Sequence, residues 1–73
     1  MKIVLHAEGL PKQTPAVADL KDASSKMRAF IEENDLGASD LIGKCGDVLD
    51  GKNIVATVSY NGRVWSNEGK EIV

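Results

Sequence analysis

One cysteine, one histidine, two prolines and one each of Phe, Tyr and Trp stand among 73 residues. Each scarcity excludes something. A lone Cys45 cannot form a disulfide within the chain, and secreted domains this small normally depend on such staples. A reducing, cytoplasmic setting is therefore expected. His6 has no second histidine, and no cysteine, at ligand spacing, so neither a zinc site nor any other metal or cofactor is expected. No apolar run approaches the ~20 residues of a membrane span. Met1-Lys2-Ile3-Val4-Leu5 begins like a signal peptide, but His6, Glu8 and Pro11 interrupt it before an apolar segment can form. A membrane is not expected as a partner. Positive charge is also in short supply, with nine Lys and Arg against eleven Asp and Glu and a formal net charge of −2. That balance disfavours a dedicated nucleic-acid binder, which usually carries a basic excess. There is no internal repeat, low-complexity tract or linker, so residues 1–73 read as one domain.

What is present is ordinary for a folded chain: 42% hydrophobic and 27% charged residues. A chain of this length buries only about 60% of its unfolded surface, so its stability is expected to be modest. Dimerisation would be a natural supplement.

The clearest structural signal is Ile54-Val55-Ala56-Thr57-Val58-Ser59-Tyr60-Asn61-Gly62-Arg63-Val64-Trp65. Two β-prone runs flank Asn-Gly, whose residues both accept positive φ. Treated as a two-residue loop, Asn61-Gly62 sets Tyr60 opposite Arg63, Ser59 opposite Val64 and Val58 opposite Trp65. Ile54, Ala56, Val58, Tyr60, Arg63 and Trp65 then share the face that packs on a helix, and Val55, Thr57, Ser59, Val64 and Ser66 share the other. Asp50-Gly51 marks a second hairpin. A two-residue loop there sets Cys45 opposite Ala56, while a four-residue loop, Asp50-Gly51-Lys52-Asn53, closes it equally well. Lys44 to Leu49 is a weaker strand, flanked and interrupted by Gly43 and Gly46.

Upstream, Lys2 to Ala7 is a short β-branched strand followed by a Gly9/Pro11 loop. Thr14-Pro15 reads as a helix start. Val17, Leu20, Ala23, Met27, Phe30, Ile31 and Asn34 then recur at three- and four-residue steps, with Asp19, Lys21, Asp22, Lys26, Arg28, Glu32 and Glu33 opposite. Gly37 is the expected stop. A helix from Pro15 to Asp35 would be roughly 30 Å long. A second reading stays open, in which a short turn ends near Leu20 and the main helix starts near Asp22. Ser39 to Ile42 fits a helical turn or a strand entrance. The expected fold is α+β: one helix on a mainly antiparallel sheet, in the order β-α-β-β-β, with Glu71-Ile72-Val73 as an optional short fifth strand. The expected core is Ile3, Leu5, Leu20, Met27, Phe30, Ile31, Val58 and Trp65, joined by Ile54 and Leu49.

Chemistry is sparse. Cys45 lacks an identified base and orienting group, so no catalytic residue is expected and the chain reads as non-enzymatic. Gly43-Lys44-Cys45-Gly46-Asp47 lacks the spacing and the Lys-Ser/Thr ending of a phosphate loop. Glu32-Glu33-Asn34-Asp35 places negative charge at a helix C-terminus, where the dipole disfavours it; it reads as a solvated end. The surface singled out for binding is Tyr60, Arg63 and Trp65, with Lys44 or Lys52 nearby. As a stacking platform with cations it would suit a single-stranded nucleic acid. As structure, Trp65 would be core, Tyr60 would cover the core edge and Arg63 would lie along the ring. The expected function is an interaction module that binds an unknown protein partner or pairs with itself through the sheet. Weak single-stranded nucleic-acid binding is the alternative.

Overall fold

The computed structural model describes residues 1–72. It contains β1 (Lys2–Ile3), α1 (Leu20–Glu33), β2 (Asp47–Asp50), β3 (Asn53–Val58) and β4 (Val64–Trp65), with a single 3₁₀ turn at Ala38–Asp40. The four strands form one antiparallel sheet in sequence order, and the helix packs against β1 and β3. The fold is α+β, as the sequence predicts.

Two further segments widen the sheet. Residues 13–17 run antiparallel to the chain start: Leu5 and Gln13 exchange both backbone hydrogen bonds at 2.8 Å, and Val17 N donates to Met1 O at 2.8 Å. At the other edge, Ser66 N donates to Lys70 O, and Ile72 N donates to Val64 O, each at 2.7 Å. Glu71 and Ile72 therefore do return along β4, whereas Val73 lies outside the described residues.

The pairing of 13–17 corrects the expected helix start. Thr14-Pro15 is extended, not a cap. Pro15 has no N–H to donate but its carbonyl accepts from Ile3 N at 3.1 Å, which suits an edge segment. The cap is Asp19, whose carboxylate accepts from Asp22 N at 2.8 Å, while the Asp22 carboxylate accepts from Ala18 N at 2.9 Å. The pair differs from a capping box in that the third helical residue reaches back to the N–H before the cap rather than to the cap's own. The helix ends at Glu33 rather than at Gly37, because Asp35 takes the left-handed conformation (φ 50°). Asn34 also returns its side-chain amide to Phe30 O at 2.9 Å. Ala38–Asp40 turns, and Leu41 then bridges Ala7, so both readings of residues 39–42 hold in sequence.

The second hairpin adopts the register of the longer-loop alternative: Leu49 faces Ile54 and Asp50 faces Asn53, leaving Gly51-Lys52 at the tip. The register then shifts by one residue, since Val48 faces Ala56. Val55 is the extra residue of this bulge, which turns Ile54 out of the core to 39% exposure.

The first hairpin differs from expectation by one residue, and that slip exchanges the two faces of β4 while Ala56 and Val58 of β3 stay on the core side. Val58 faces Val64 and Thr57 faces Trp65. A two-residue Asn-Gly loop requires positive φ at both positions, but only Gly62 has it (φ 85°). The loop is Tyr60-Asn61-Gly62, closed by Gly62 N to Ser59 O at 2.9 Å and Ser59 N to Arg63 O at 2.8 Å. The Asn61 carboxamide oxygen accepts from Ser59 Oγ at 2.5 Å and Arg63 N at 3.2 Å, which holds the turn. Val64, 3% exposed, therefore takes the core position expected for Trp65.

The core comprises Ile3, Leu5 and Ala7 from the first segment, Val17, Ala23, Met27 and Phe30 from α1, and Val48, Ala56, Val58 and Val64 from the sheet. Leu20 and Ile31 pack against it half-buried. Trp65 and Leu49 are half-buried outside this cluster.

Candidate functional site

The new register separates the residues singled out from sequence. Trp65 lies beside Thr57 on the sheet face away from the helix, and its Nε1 donates to Ser59 Oγ at 3.3 Å. Tyr60, 43% exposed, turns the other way, and its hydroxyl donates to Leu36 O just past the helix end at 3.1 Å. The Arg63 side chain is 59% exposed, with Nε 3.8 Å from the Glu71 carboxylate. Lys44 sits in the turn before β2, one strand away from the Tyr60 loop. Lys52 occupies the opposite hairpin tip, some eight residues or roughly 26 Å along an extended chain. The five side chains do not form one platform.

The hairpin tip is instead docked on the helix. Ser24 Oγ donates to Gly62 O at 2.6 Å. A Cβ built on Gly62 would stand 2.5 Å from Arg28 Nε, so the guanidinium lies directly over the glycine. Glycine serves twice here, by accepting φ 85° and by leaving room for Arg28.

Beside this contact opens a cleft of about 840 Å³ between α1 and the β4 edge. It exists because a sheet of six segments, about 4.8 Å apart, is roughly 24 Å wide, whereas one helix covers about 10 Å. The helix lies over β1 and β3 and leaves the β4 side open. Half-buried Leu20 and Ile72 supply its apolar surface, with the buried Val64 beneath them. Lys21, Arg28 and Arg63 supply cations, and Ser25 and Asn61 supply neutral polar groups. Two carboxylates also line it, each already engaged: Asp19 with the first helical turn and Glu71 with Arg63. Among the described residues neither Lys21 nor Arg28 has an acidic partner. The cleft thus carries one excess positive charge in a chain whose net charge is −2. Arg28 and Asn61 also line a smaller hollow of about 300 Å³ with Ile31, Glu32 and Tyr60.

Sequence reasoning assigned Lys21 and Arg28 to a solvated helix face. Their seven-residue spacing, two helical turns, was the available signal that they share a stripe. What the sequence did not carry was which strand would stop short of covering that stripe.

Cys45 lies apart from the cleft. Pairing of residues 4–8 with 40–47 brings the His6 backbone beside it, although nothing in the spacing suggested this. Burial pushes the thiol pKa up; a hydrogen bond from the His6 backbone opposes the shift, and the Asp47 carboxylate adds to it. A raised pKa favours the thiol over the nucleophilic thiolate. Among the described residues, no three His, Cys, Asp or Glu side chains are grouped as metal ligands. No protein-family model, curated protein or solved structure matches the chain.

Proposed function

We propose that this chain is a non-enzymatic interaction module that binds another protein through the cleft between α1 and the β4 edge. The observation that carries this reading is the lining of the cleft: an aliphatic floor with side-chain hydrogen-bond donors at its rim and no nucleophile paired with a base. Such a lining offers burial and orientation but no route for proton or group transfer. Single-stranded nucleic acid is less well supported, because Tyr60 and Trp65 point to different sides of the sheet and no aromatic ring lines the cleft. Pairing through strand edges is also less well supported. The outer edge formed by residues 13–17 contains Pro15, and the edge beyond β4 carries the charged Glu71.

The test is site-specific photocrosslinking in host extract, with a benzophenone side chain placed at Ser25 in the cleft or at Thr57 on the far sheet face. The reading expects a discrete protein adduct from Ser25 alone. Equal adducts from both positions, or nucleic acid recovered from Ser25, would overturn it.

A further inference from the structure

We infer that the cleft selects an acidic segment of its partner, one that sets an aliphatic side chain on Leu20 and Ile72 and carboxylates against Lys21, Arg28 and Arg63. The inference rests on the cleft being a protein-binding site and adds the chemistry of what enters it.

Charge complementarity makes the choice. Lys21 and Arg28 lie seven residues apart on one helix, about 10 Å along its axis. Both lack an acidic partner among the described residues. Arg63 faces them across the cleft from the strand side. Three cations around an aliphatic floor match a peptide that alternates carboxylate and aliphatic side chains. A phosphate backbone would satisfy the cations but leave the floor bare, and its bases would find no ring to stack on. A basic peptide would place like charges together, a juxtaposition that costs binding.

Arg63 and Glu71 add a second, independent feature. The 3.8 Å approach of Glu71 to Arg63 Nε is an internal version of the contact a partner carboxylate would make. Glu71 thus competes for Arg63. The ion pair is solvent-exposed, so its removal leaves folding nearly unaffected.

The experiment is amide chemical-shift titration of the full chain with two soluble hexapeptides of equal leucine content, one with glutamates and one with lysines. A short oligothymidylate serves as third probe. The glutamate peptide is expected to shift Lys21, Ser25, Arg28 and Arg63 in a salt-sensitive manner, and the lysine peptide is not. Arg28→Glu is expected to weaken that binding by about tenfold or more, and Glu71→Gln to tighten it a few-fold. Both variants are read for folding from their unperturbed core amides. Equal binding of the two peptides in the cleft would overturn the acidic selectivity and leave a protein-binding cleft standing. Shifts with oligothymidylate alone would overturn both. Absence of cleft shifts with the glutamate peptide, or looser binding by Glu71→Gln, would overturn the inference.

Discussion

Two glycines with similar backbone angles give opposite expectations at the residue scale. Gly46 (φ 95°) is buried, and a Cβ there would stand 2.2 Å from the Val58 carbonyl oxygen, which belongs to the neighbouring strand. That strand cannot retreat, because Val58 N donates to Gly46 O at 2.8 Å and Val58 is in the core. Gly51 (φ 63°) has nothing within 4 Å of its Cβ position. Gly51→Ala is therefore expected to cost about 1–2 kcal/mol, the left-handed penalty alone. Gly46→Ala should exceed about 4 kcal/mol or prevent folding, because steric overlap is added to that penalty. Urea denaturation of the two variants measures the difference, and similar midpoints would contradict the packing of Gly46 on β3. Cys45 gives a pH expectation. Its folded pKa is raised above the ordinary 9.0 by burial. Its contribution to stability is complete below that ordinary value and is lost as pH rises through the folded pKa. Denaturation midpoints followed upward from pH 8 should fall less steeply for Cys45→Ala than for the parent chain.

The helix concentrates its design conflicts at its ends. Asp19→Ala removes the carboxylate that accepts from Asp22 N and is expected to cost about 1 kcal/mol. Glu32 and Glu33 face the negative end of the macrodipole with no basic residue in the last turn. Glu33→Gln should raise stability by about 0.3–1 kcal/mol, an effect that shrinks with added salt. Thermal melts at low and high ionic strength check both. These elements also show what the sequence exposed and what it hid. The period of Ala23, Met27 and Phe30 identified the buried helix stripe, and the expected strand runs overlap all four strands. Local chemistry failed where two local preferences competed. Thr14-Pro15 suits a helix start in isolation, but strand pairing with Leu5 claims the same residues, and only the whole sheet decides. Asn61-Gly62 suits either a two- or a three-residue loop, and the choice sets whether Val64 or Trp65 turns to the core side. Val64 does, so the candidate platform of Tyr60, Arg63 and Trp65 came apart on a shift of one residue. The cleft was hidden for a related reason: its cations were visible at helical spacing, but an uncovered sheet edge is a property of the assembled layers.

At the scale of the whole molecule, a single helix on a sheet twice its width leaves part of that sheet uncovered, and the proposed interaction surface lies there. The cleft is mixed polar and aliphatic surface that the one helix leaves uncovered. Covering it with a second helix would stabilise the fold and abolish the proposed site. A partner segment that fills it should therefore stabilise the protein by mass action, as the logarithm of its concentration over Kd. Self-pairing would answer the same deficit differently, but the edges do not favour it. Beyond residues 13–17 the outward backbone groups belong to Thr14 and Ala16 around Pro15, and beyond residues 70–72 they belong to Glu71. Edges this short, interrupted by proline or charge, pair poorly with a second chain. Sedimentation equilibrium is expected to return the 7.8 kDa monomer at micromolar concentration. A stable dimer would contradict that expectation, and the variant to make next would be Trp65→Ser. Loss of the dimer in this variant would locate self-association on the outer sheet face, whereas persistence together with protection of Ser25 and Arg28 would mean that a second copy occupies the cleft.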